Sequence, residues 1–420
     1  RVVVDYEPLE PVVDLEAALR PGAPRLYPDW TDNAFVKRHL DVGDVDGAFA
    51  QADGIVRLRT VTHRCAGVPM EGRVSLAEYH PTRGELTLWT ATQVPHLVRT
   101  GLADALNFPE HKLRVIAPDV GGGFGIKANL FAEDIVLCLL ALRLKRPVKW
   151  QEDRREHLLA SAHARDHIHE IEAAYRRDGT ILALKARLLV DIGAYSVWPW
   201  TAGIEPGMAL GILPGPYRIR NYRCDAFGVA TNKCPLGTYR GVARPSACFT
   251  IERVVDEVAR AAGLDPAEVR RRNLVRRDEF PYTSVTGLVY DSGSFIESLD
   301  RALEAADYPA LRRWQEAERA RGRYIGIGLG TYTEQTAHAT AEFVKRGGPV
   351  VLGYDSATVR MDPSGKVTVM ASMQSHGQGM ETSLAQLAAD KLGVRLEDVT
   401  VLHGDSTLSP YGMGTFASRS

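Results

Sequence analysis

Apolar residues recur along the chain in short runs that predict strands and in longer periodic stretches that predict helices. Residues 86–90 form a strand-like run, and residues 96–106 carry leucines at helical spacing. Residues 113–117 predict a further strand, and the long apolar stretch 130–144 predicts a buried helix. The first half of the chain therefore mixes strands with helices.

Turn signals delimit hairpins in the second half of the chain. The pair Asp178-Gly179 lies between two apolar runs and favours a tight turn. Residues 354–372 predict another hairpin, which turns at residues 362–365. Between these hairpins, residues 249–262 predict a helix.

Two stretches of the chain, 84–93 and 365–374, share one design. Each runs from a glycine through a strand-like segment to a glutamine, which is Gln93 in one and Gln374 in the other. After each we expect a helix, a strand and a loop that contains glycine and phenylalanine. The repeat predicts an α+β fold of two pseudo-symmetric domains with mixed sheets and packed helices, whose glutamines lie around one cleft.

The size and charge of the chain exclude several classes of protein. A length of 420 residues is enough for about two to four domains. Lys and Arg total 51, Asp and Glu total 52, and the net charge of -1 argues against a nucleic-acid-binding or polybasic membrane-surface protein. Five cysteines without a C-x-x-C pair argue against zinc or iron–sulfur ligation within the chain.

The two ends of the chain lack the features of complete termini. No initiator methionine is present, and residues 414–420 have a loop composition without a closing element. We therefore expect a fragment that is cut at both ends. No charged leader followed by an apolar core is visible near the start, which favours a cytoplasmic protein.

A glycine-rich loop at residues 119–127 lies between the predicted strand at 113–117 and the predicted helix at 130–144. Consecutive glycines allow backbone N–H groups to approach a bound ligand closely. Ile126 stands where the dinucleotide-binding fingerprint needs its third glycine, and Ala128 stands where a P-loop needs Ser or Thr. The loop predicts a ligand nest of another kind, and a purely structural turn is the alternative.

Two further loops carry polar and cationic groups. Residues 237–245 contain Arg240 and Arg244, whose guanidinium groups suit bidentate contacts to carbonyl, phosphate or oxyanion groups. Two ordinary surface arginines are the alternative. Residues 375–380 combine backbone donors with the amide of Gln378 and fit a polar heterocycle or a phosphate. Neither loop alone identifies a ligand.

Other chemistries lack their sequence signatures. His163, His167 and His169 with Glu170 carry metal-ligating groups, but they lie in a strand pattern and no H-E-x-x-H motif is present. No G-x-S-x-G motif of a hydrolase nucleophile occurs either. We therefore predict no metal site built from protein side chains.

Taken together, the three loops resemble the large, molybdenum-binding subunit of the xanthine oxidase family of molybdenum hydroxylases, which includes the aerobic carbon monoxide dehydrogenases. The resemblance runs over nearly the whole chain in the family's order. The matching segments are Pro69-Met70-Glu71, Thr92-Gln93 before Pro95-His96, Gly121-Gly122-Gly123-Phe124-Gly125-Ile126-Lys127, Asp191-Ile192-Gly193-Ala194-Tyr195, Tyr239-Arg240-Gly241, Gly377-Gln378-Gly379 and Ala417-Ser418-Arg419-Ser420.

The resemblance implies a molybdenum–molybdopterin cofactor, in bacteria usually the cytosine dinucleotide form, whose metal is held by the pterin dithiolene. It implies two catalytic residues, Gln93 on a molybdenum oxygen and Arg240 on the opposite side. The implied cofactor-binding residues are Gln93, Gly122, Gly123, Phe124, Gly125, Tyr239, Arg240, Gly241, Gly377, Gln378, Gly379, Ala417, Ser418 and Ser420. The implied partners are an iron–sulfur small subunit with [2Fe-2S] clusters and a medium subunit with FAD, in a dimer of heterotrimers.

The implied reaction is oxidation of a substrate C–H bond with water as the oxygen source. The family's general-base glutamate lies beyond the matched region, and no residue of this chain can be assigned that role. Gly241 stands where the carbon monoxide dehydrogenases carry a copper-binding cysteine. Ala128 and Met208 fall where purine-oxidising members carry a glutamate and an arginine. The expected substrates are therefore N-heteroaromatic compounds or aldehydes.

The resemblance also implies a domain organisation: a connector at 1–40 from a missing N-terminal domain, a first molybdopterin-binding domain at 41–290, a helical connector at 291–324 and a truncated second domain at 325–420. Three alternatives remain open. The chain could be a nucleotide-binding dehydrogenase, which needs an acidic residue near position 140 at the end of a strand. It could be a non-catalytic cofactor-binding or scaffold fragment, or a carbon monoxide dehydrogenase-like member without the copper cysteine.

Overall fold

A computed structural model of the chain describes residues 3–346 and 353–420, in which strands and helices are interspersed. The strands are β1 Ala34–Val42, β2 Gly54–Thr62, β3 Cys65–Ala66, β4 Val74–His80, β5 Glu85–Thr90, β6 Leu113–Ile116, β7 Val148–Gln151, β8 His163–Ala164, β9 His167–Tyr175, β10 Ile181–Gly193, β11 Asn221–Ala230, β12 Tyr282–Thr283, β13 Val289–Tyr290, β14 Ala357–Met361, β15 Val367–Ala371 and β16 Val399–Leu402. The helices are α1 Val45–Ala50, α2 Pro95–Leu106, α3 Ala132–Leu144, α4 Arg154–Ala160, α5 Ile204–Ile212, α6 Arg244–Ala262, α7 Pro266–Asn273, α8 Phe295–Ala305, α9 Tyr308–Ala320, α10 Thr340–Arg346 and α11 Met380–Leu392. Within the described ranges, no helix combines the length and the apolar character needed to cross a membrane.

The largest sheet has five strands in the order β1-β11-β10-β9-β2. The hairpin predicted at Asp178-Gly179 is confirmed, because it joins β9 to β10, which pair antiparallel. Gly179 has the left-handed φ of 85° that glycine adopts without a steric penalty. Helices α5 and α6 pack on this sheet, and the buried interface includes Leu184, Leu188 and Val255. This sheet and its helices form the main core of the protein.

The predicted repeat is confirmed in the four-stranded and the three-stranded sheet. The four-stranded sheet has the order β6-β5-β4-β7, and the three-stranded sheet has the order β14-β15-β16. In each sheet, an antiparallel hairpin is followed by a helix, α2 or α11, and then by a strand parallel to the second hairpin strand. The predicted α+β class with two related halves is therefore confirmed.

The four-stranded and the three-stranded sheet contact each other where β6 and β16 end. The N–H of Ala117 donates to the carbonyl of Gly404 at 2.7 Å, and an antiparallel bridge joins Ile116 to Asp405. Arg114 forms an ion pair with Asp405 across the same junction. Because these contacts join the two strand ends, they bring the loops that follow β6 and β16 close together.

Some elements differ from those that the sequence predicts. Strand β1 begins at Ala34, inside the stretch predicted as a connector, and it pairs with β11. Its pattern was hard to recognise because Lys37, Arg38 and His39 are exposed on the edge of the sheet. Helix α6 begins at Arg244 rather than at residue 249. Helix α5 and strand β11 have no counterpart in the sequence prediction.

Helix α3 confirms the helix predicted at 130–144 but is not buried on all sides. Val136 and Leu144 keep exposed fractions of 51% and 58%. Position 140 lies inside this helix rather than at the end of a strand. The structure therefore contradicts the nucleotide-binding dehydrogenase alternative, which requires an acidic residue at a strand end there.

Candidate functional site

The glycine-rich loop between β6 and α3 has an unusual backbone. Gly122, Phe124 and Gly125 have positive φ angles of 95°, 56° and 96°. For Phe124 this conformation is costly, because its Cβ disfavours the left-handed region. Backbone of this kind persists where surrounding contacts hold it, and it clusters at binding sites. Such turns can direct successive N–H groups toward one concave surface.

Gln93 connects the glycine-rich loop to the C-terminal residues. Its exposed fraction is 1%, its Oε1 accepts from the N–H of Gly125 at 2.9 Å, and its Nε2 donates to the carbonyl of Thr415 at 2.8 Å. A Cβ at Gly123 would lie 2.5 Å from the Gln93 Cδ, so only glycine fits there. The Nε2 group carries two N–H bonds, and Thr415 takes one of them. Among the described residues, no acceptor lies within hydrogen-bond distance of the other N–H.

The loop at residues 237–245, called the arginine loop below, leads into α6 and lies directly against the glycine-rich loop. The hydroxyl of Thr238 donates to the carbonyl of Gly125 at 2.8 Å, and the N–H of Arg240 donates to the carbonyl of Phe124 at 2.9 Å. Gly241 has a φ of 90°, which glycine adopts readily. The Arg240 side chain is exposed. These contacts fix the Arg240 backbone, whereas its side chain is left exposed.

The loop before α11 stabilises itself and contacts the start of the glycine-rich loop. Gly377 and Gly379 have φ angles of 102° and 80°, and Gly379 precedes the first residue of α11. The Oε1 of Gln378 accepts from the N–H of His376 at 2.7 Å, so this exposed side chain stabilises the loop in which it lies. The Nε2 of Gln374 donates to the carbonyl of Pro118 at 3.2 Å. The second glutamine of the repeat therefore ties the two loops together.

The C-terminal residues complete the region around Gln93. The N–H of Thr415 donates to the Gln93 carbonyl at 3.0 Å, and the Thr415 hydroxyl lies 2.9 Å from the Ser420 hydroxyl. Ala417 and Ser418 both have a positive φ of 50°. Two consecutive left-handed residues with side chains are unfavourable, which again marks a segment held by its surroundings.

Arg419 contributes buried donors at the same end of the chain. Its side chain is 5% exposed, and Nη2 lies 2.8 Å from the Asp355 carboxylate. Its Nε and Nη1 are buried and find no acceptor in the described part of the chain. Burial lowers the pKa of Arg419, and the charge of Asp355 opposes that shift. Unpaired buried N–H groups are costly unless a ligand or water accepts from them.

A buried cation lies beside the glycine-rich loop. The Lys127 side chain is fully buried and contacts the Glu71 carboxylate at 2.6 Å. Burial lowers the pKa of Lys127, and the hydrogen bond that it donates to Glu71 opposes that shift. Burial also lowers the pKa of His376, with a contribution from the charge of Lys127. His376 thus lies within electrostatic range of the glycine-rich loop.

The structure brings most of the predicted site residues into one region, and it adds others. Gln93, the glycine-rich loop, the arginine loop and the C-terminal residues are connected by the hydrogen bonds above. Sequence reasoning assigned no role to Glu71, Thr238 or Thr415, because each acts through a partner far away in the chain. The burial of Lys127 could have been predicted. A lysine between the apolar residues Ile126 and Ala128 indicates a buried cation that needs an acidic partner.

The histidines with metal-ligating groups take part in other contacts. His167 Nε2 lies 3.0 Å from the Glu205 carboxylate, and His169 Nδ1 lies 2.8 Å from the Thr250 hydroxyl. Glu170 pairs with Arg187 at 3.1 Å. Across residues 3–346 and 353–420, no group of three or more His, Cys, Asp or Glu side chains is arranged to hold a metal ion.

Known proteins match the chain from near its start to its end. A family model described as the molybdopterin cofactor-binding domain matches residues 26–274, and a second model with the same description matches residues 301–420. The nicotine 6-hydroxylase large subunit of Paenarthrobacter nicotinovorans is 41% identical over 100% of this chain and 51% of its own length. The carbon monoxide dehydrogenase large chain of Hydrogenophaga pseudoflava is 36% identical over 100% of this chain and 54% of its own.

Solved structures share the fold. Quinoline 2-oxidoreductase from Pseudomonas putida 86 superposes with a TM-score of 0.94 at 41% identity, covering 99% of this chain and 52% of that chain. The CO dehydrogenase of Oligotropha carboxidovorans superposes with a TM-score of 0.89 at 33% identity, covering 99% and 54%. The chain thus spans about half the length of the curated relatives it matches.

Proposed function

The chain belongs to the molybdopterin cofactor-binding family that forms the large subunits of molybdenum hydroxylases, and on this basis we propose that it is part of the catalytic subunit of an enzyme that oxidises a substrate C–H bond with water as the oxygen source. The observation that carries the proposal is that the Gln93 side chain hydrogen-bonds to both the glycine-rich loop and the C-terminal residues, while the arginine loop hydrogen-bonds to the same glycine-rich loop. Each of them presents backbone or side-chain donors in one region.

The residues around Gln93 fit a molybdenum cofactor. Gly123 lets the Gln93 side chain approach the loop backbone closely, Gln93 retains one N–H donor, and Arg419 has two buried donors without an acceptor among the described residues. Donors of this kind suit the oxygen and nitrogen atoms of a pterin rather than direct ligation of a metal. When bound, the cofactor supplies a Lewis-acidic metal that takes up the electrons of the substrate bond.

Each loop would hold a different part of the cofactor. Gln93 would donate its second N–H to a molybdenum oxygen, and the exposed Arg240 would place positive charge on the opposite side. The residues proposed to line the pterin are Gly122, Gly123, Phe124, Gly125, Tyr239 and Gly241. The residues proposed to hold the pterin or its nucleotide tail are Gly377, Gln378, Gly379, Ala417, Ser418 and Ser420. The chain itself would bind and orient the cofactor and place charge around it.

The finer features of the assembly belong to the same proposal. The cofactor would be the cytosine dinucleotide form, and small and medium partner subunits would carry [2Fe-2S] clusters and FAD in a cytoplasmic dimer of heterotrimers. One relative is the gamma subunit of the 6-hydroxypseudooxynicotine dehydrogenase complex, which supports a multi-subunit enzyme. The proposed domains are a connector at 1–40 whose last residues enter strand β1, a first cofactor-binding domain at 41–290, a helical connector at 291–324 and a second domain at 325–420.

The names of the relatives favour N-heteroaromatic substrates over carbon monoxide. The nicotine 6-hydroxylase subunit and quinoline 2-oxidoreductase are each 41% identical to this chain, whereas the carbon monoxide dehydrogenases are 36% and 33% identical. Gly241 also lacks the thiol that copper-dependent oxidation would use. We therefore propose hydroxylation of an electron-poor ring carbon, with aldehyde oxidation as the second candidate.

The first test measures the cofactor itself. The chain would be produced in a host that makes molybdopterin, and molybdenum per chain would be measured together with pterin fluorescence and released nucleotide after denaturation. We expect retained cofactor in the wild type and loss in Gln93→Leu. Gln315→Leu is the matched control, because its Nε2 donates to the carbonyl of Ile325 away from the site. A folded chain without pterin would contradict the proposal and favour the scaffold alternative.

A second test measures the reaction in the assembled enzyme. Quinoline, nicotine and benzaldehyde would be supplied in turn with oxygen-labelled water, and label in the product would be measured by mass spectrometry. We expect label in the hydroxylated heterocycle. Unlabelled product would contradict water as the oxygen source.

A further inference from the structure

Two consecutive residues beside the arginine loop have a strained backbone. Arg165 and Asp166, between β8 and β9, have positive φ angles of 64° and 82°. Both carry side chains, so the left-handed region is unfavourable for each of them. Such conformations persist only where the surrounding structure holds them. The contacts of these two side chains therefore show which parts of the structure hold this backbone conformation.

Asp166 anchors the strained pair to a partly buried ion cluster. Its carboxylate lies 2.9 Å from Arg64 Nε and 3.2 Å from Lys233 Nζ. The same two cations contact the buried carboxylate of Asp191 at 2.9 Å and 2.7 Å. The carbonyl of Asp166 also accepts from the N–H of Asp191 at 3.0 Å. Asp166 is thus fixed to the end of β10.

Arg165 directs its guanidinium group to the arginine loop. Its Nη2 donates to the carbonyl of Arg240 at 2.6 Å, and its Cζ lies 4.7 Å from the ring centroid of Tyr239. Its Nη1 lies 3.1 Å from the sulfur of Cys65, so a second contact restricts the guanidinium group. A planar guanidinium can make an in-plane hydrogen bond and a stacking contact at once, which an ammonium cannot.

Both peptide groups of Arg240 are therefore held from outside. Its N–H donates to the carbonyl of Phe124 in the glycine-rich loop, and its carbonyl accepts from Arg165. The Arg240 side chain remains exposed. A backbone fixed at both peptide bonds restricts the directions in which the side chain can point.

We propose that Arg165 is a positioning residue that holds the Tyr239-Arg240-Gly241 backbone so that the Arg240 guanidinium is presented to the cofactor side of the site. This inference rests on the role of Arg240 in the proposed function. The left-handed backbone at these two positions directs the Arg165 side chain toward the arginine loop and the Asp166 side chain toward the ion cluster.

The test compares the wild type with Arg165→Met, Arg165→Lys and a matched control. Arg187→Met serves as the control, because Arg187, like Arg165, combines a polar contact with a position over an aromatic ring, here the Glu170 carboxylate and the Phe227 ring, and it lies on β10 away from the loop. Hydrogen exchange would be measured in the ligand-free chain at the N–H groups of Arg240 and Val242, which donate to Phe124 and Tyr239 carbonyls. Molybdenum per chain, kcat and KM would then be measured in the assembled enzyme.

We expect Arg165→Met to accelerate exchange at Arg240 and Val242 by about tenfold or more, without faster exchange in β9 and β10. We expect kcat to fall by about 10–100-fold with little change in KM, as for residues that orient a ligand-contacting group. Arg165→Lys retains a donor for the Arg240 carbonyl and should recover part of the exchange protection. Arg187→Met should leave both measurements unchanged.

Two outcomes would overturn the inference. Wild-type exchange at Arg240 and Val242 in Arg165→Met would show that Arg165 does not hold the loop. Equal acceleration throughout the chain in both Arg165 variants would show that the residue stabilises the fold as a whole. A wild-type chain without molybdopterin would instead contradict the proposed function, while the exchange measurement would still decide whether Arg165 holds the loop.

Discussion

Glu71 and Lys127 form an ion pair that closes the glycine-rich loop from one side. The Oε2 of Glu71 lies 2.6 Å from Lys127 Nζ and also accepts from the N–H of Gly121 at 2.8 Å. Lys127 is fully buried, whereas Glu71 keeps 30% of its side-chain exposure. Gly121 and Lys127 lie at opposite ends of the glycine run, so one carboxylate holds both ends.

This asymmetry predicts unequal effects of removing the two charges. Glu71→Gln leaves a buried ammonium without its counter-charge, which costs up to about 3–5 kcal/mol. Lys127→Met removes a cation whose pKa is already lowered by burial and leaves a carboxylate that water can reach. We therefore expect Glu71→Gln to lower the free energy of unfolding more, as measured by urea denaturation. The double variant should recover most of the loss, and equal losses in the single variants would contradict the prediction.

Adding one methyl group at Gly123 should displace the Gln93 side chain. The new Cβ would lie 2.5 Å from the Gln93 Cδ and Oε1, closer than any allowed contact. We expect Gly123→Ala to lower molybdenum per chain by about tenfold or more, because the carboxamide can no longer hold the loop and the cofactor together. Gly211→Ala in α5 is the control, since a Cβ there meets nothing within 4 Å. That variant should keep its molybdenum and gain up to about 1 kcal/mol of stability.

The buried Arg270 should matter more for stability than an exposed arginine with a similar partner. Arg270 is fully buried and contacts Glu252 at 2.8 Å and Asp256 at 2.9 Å. Arg270→Met leaves the Glu252 carboxylate uncompensated, and we expect a loss of about 3–5 kcal/mol in the free energy of unfolding. Arg260→Met breaks a pair with Glu257 whose arginine is 76% exposed, and we expect about 0–1 kcal/mol. Similar losses in the two variants would show that burial does not govern these pairs.

The stability of the chain should fall in mild acid because of His96. Burial, helped by the charge of Arg99, lowers the pKa of His96 from 6.5 to about 4. The folded chain therefore binds this proton more weakly than the unfolded chain, and stability present above pH 6.5 is lost as the pH falls toward 4. The complete shift corresponds to about 3 kcal/mol.

Urea unfolding at about pH 7 and about pH 5 would measure this contribution. His96→Gln should lose less stability over that interval than the wild type, because the titrating group is gone. His111→Gln, at an exposed position, is the matched control and should follow the wild-type profile. An unchanged pH dependence in His96→Gln would contradict the assignment.

Local sequence patterns predicted the parts of the fold that local chemistry controls. The Asp178-Gly179 turn and the repeated hairpin–helix–strand design are confirmed, because turn residues and hydrophobic spacing act within a few positions. Strand β1 escaped prediction because its stability comes from pairing with β11, far along the chain. Helix α3 was expected to be buried, but spacing alone cannot show which faces of a helix contact neighbouring elements.

The α+β class and the internal repeat could be predicted from the chain because they depend on residue types at short spacings, and the family could be predicted from the resemblance of its loop motifs. Which side chains meet depends on the tertiary structure. Gln93 donates to the carbonyl of Thr415 across 322 positions, and Arg165 reaches Arg240 from another part of the chain. Such contacts, and the left-handed backbone at Arg165, depend on how all the packed elements fit together. No local pattern encodes them, because the free energy that holds them comes from distant parts of the fold.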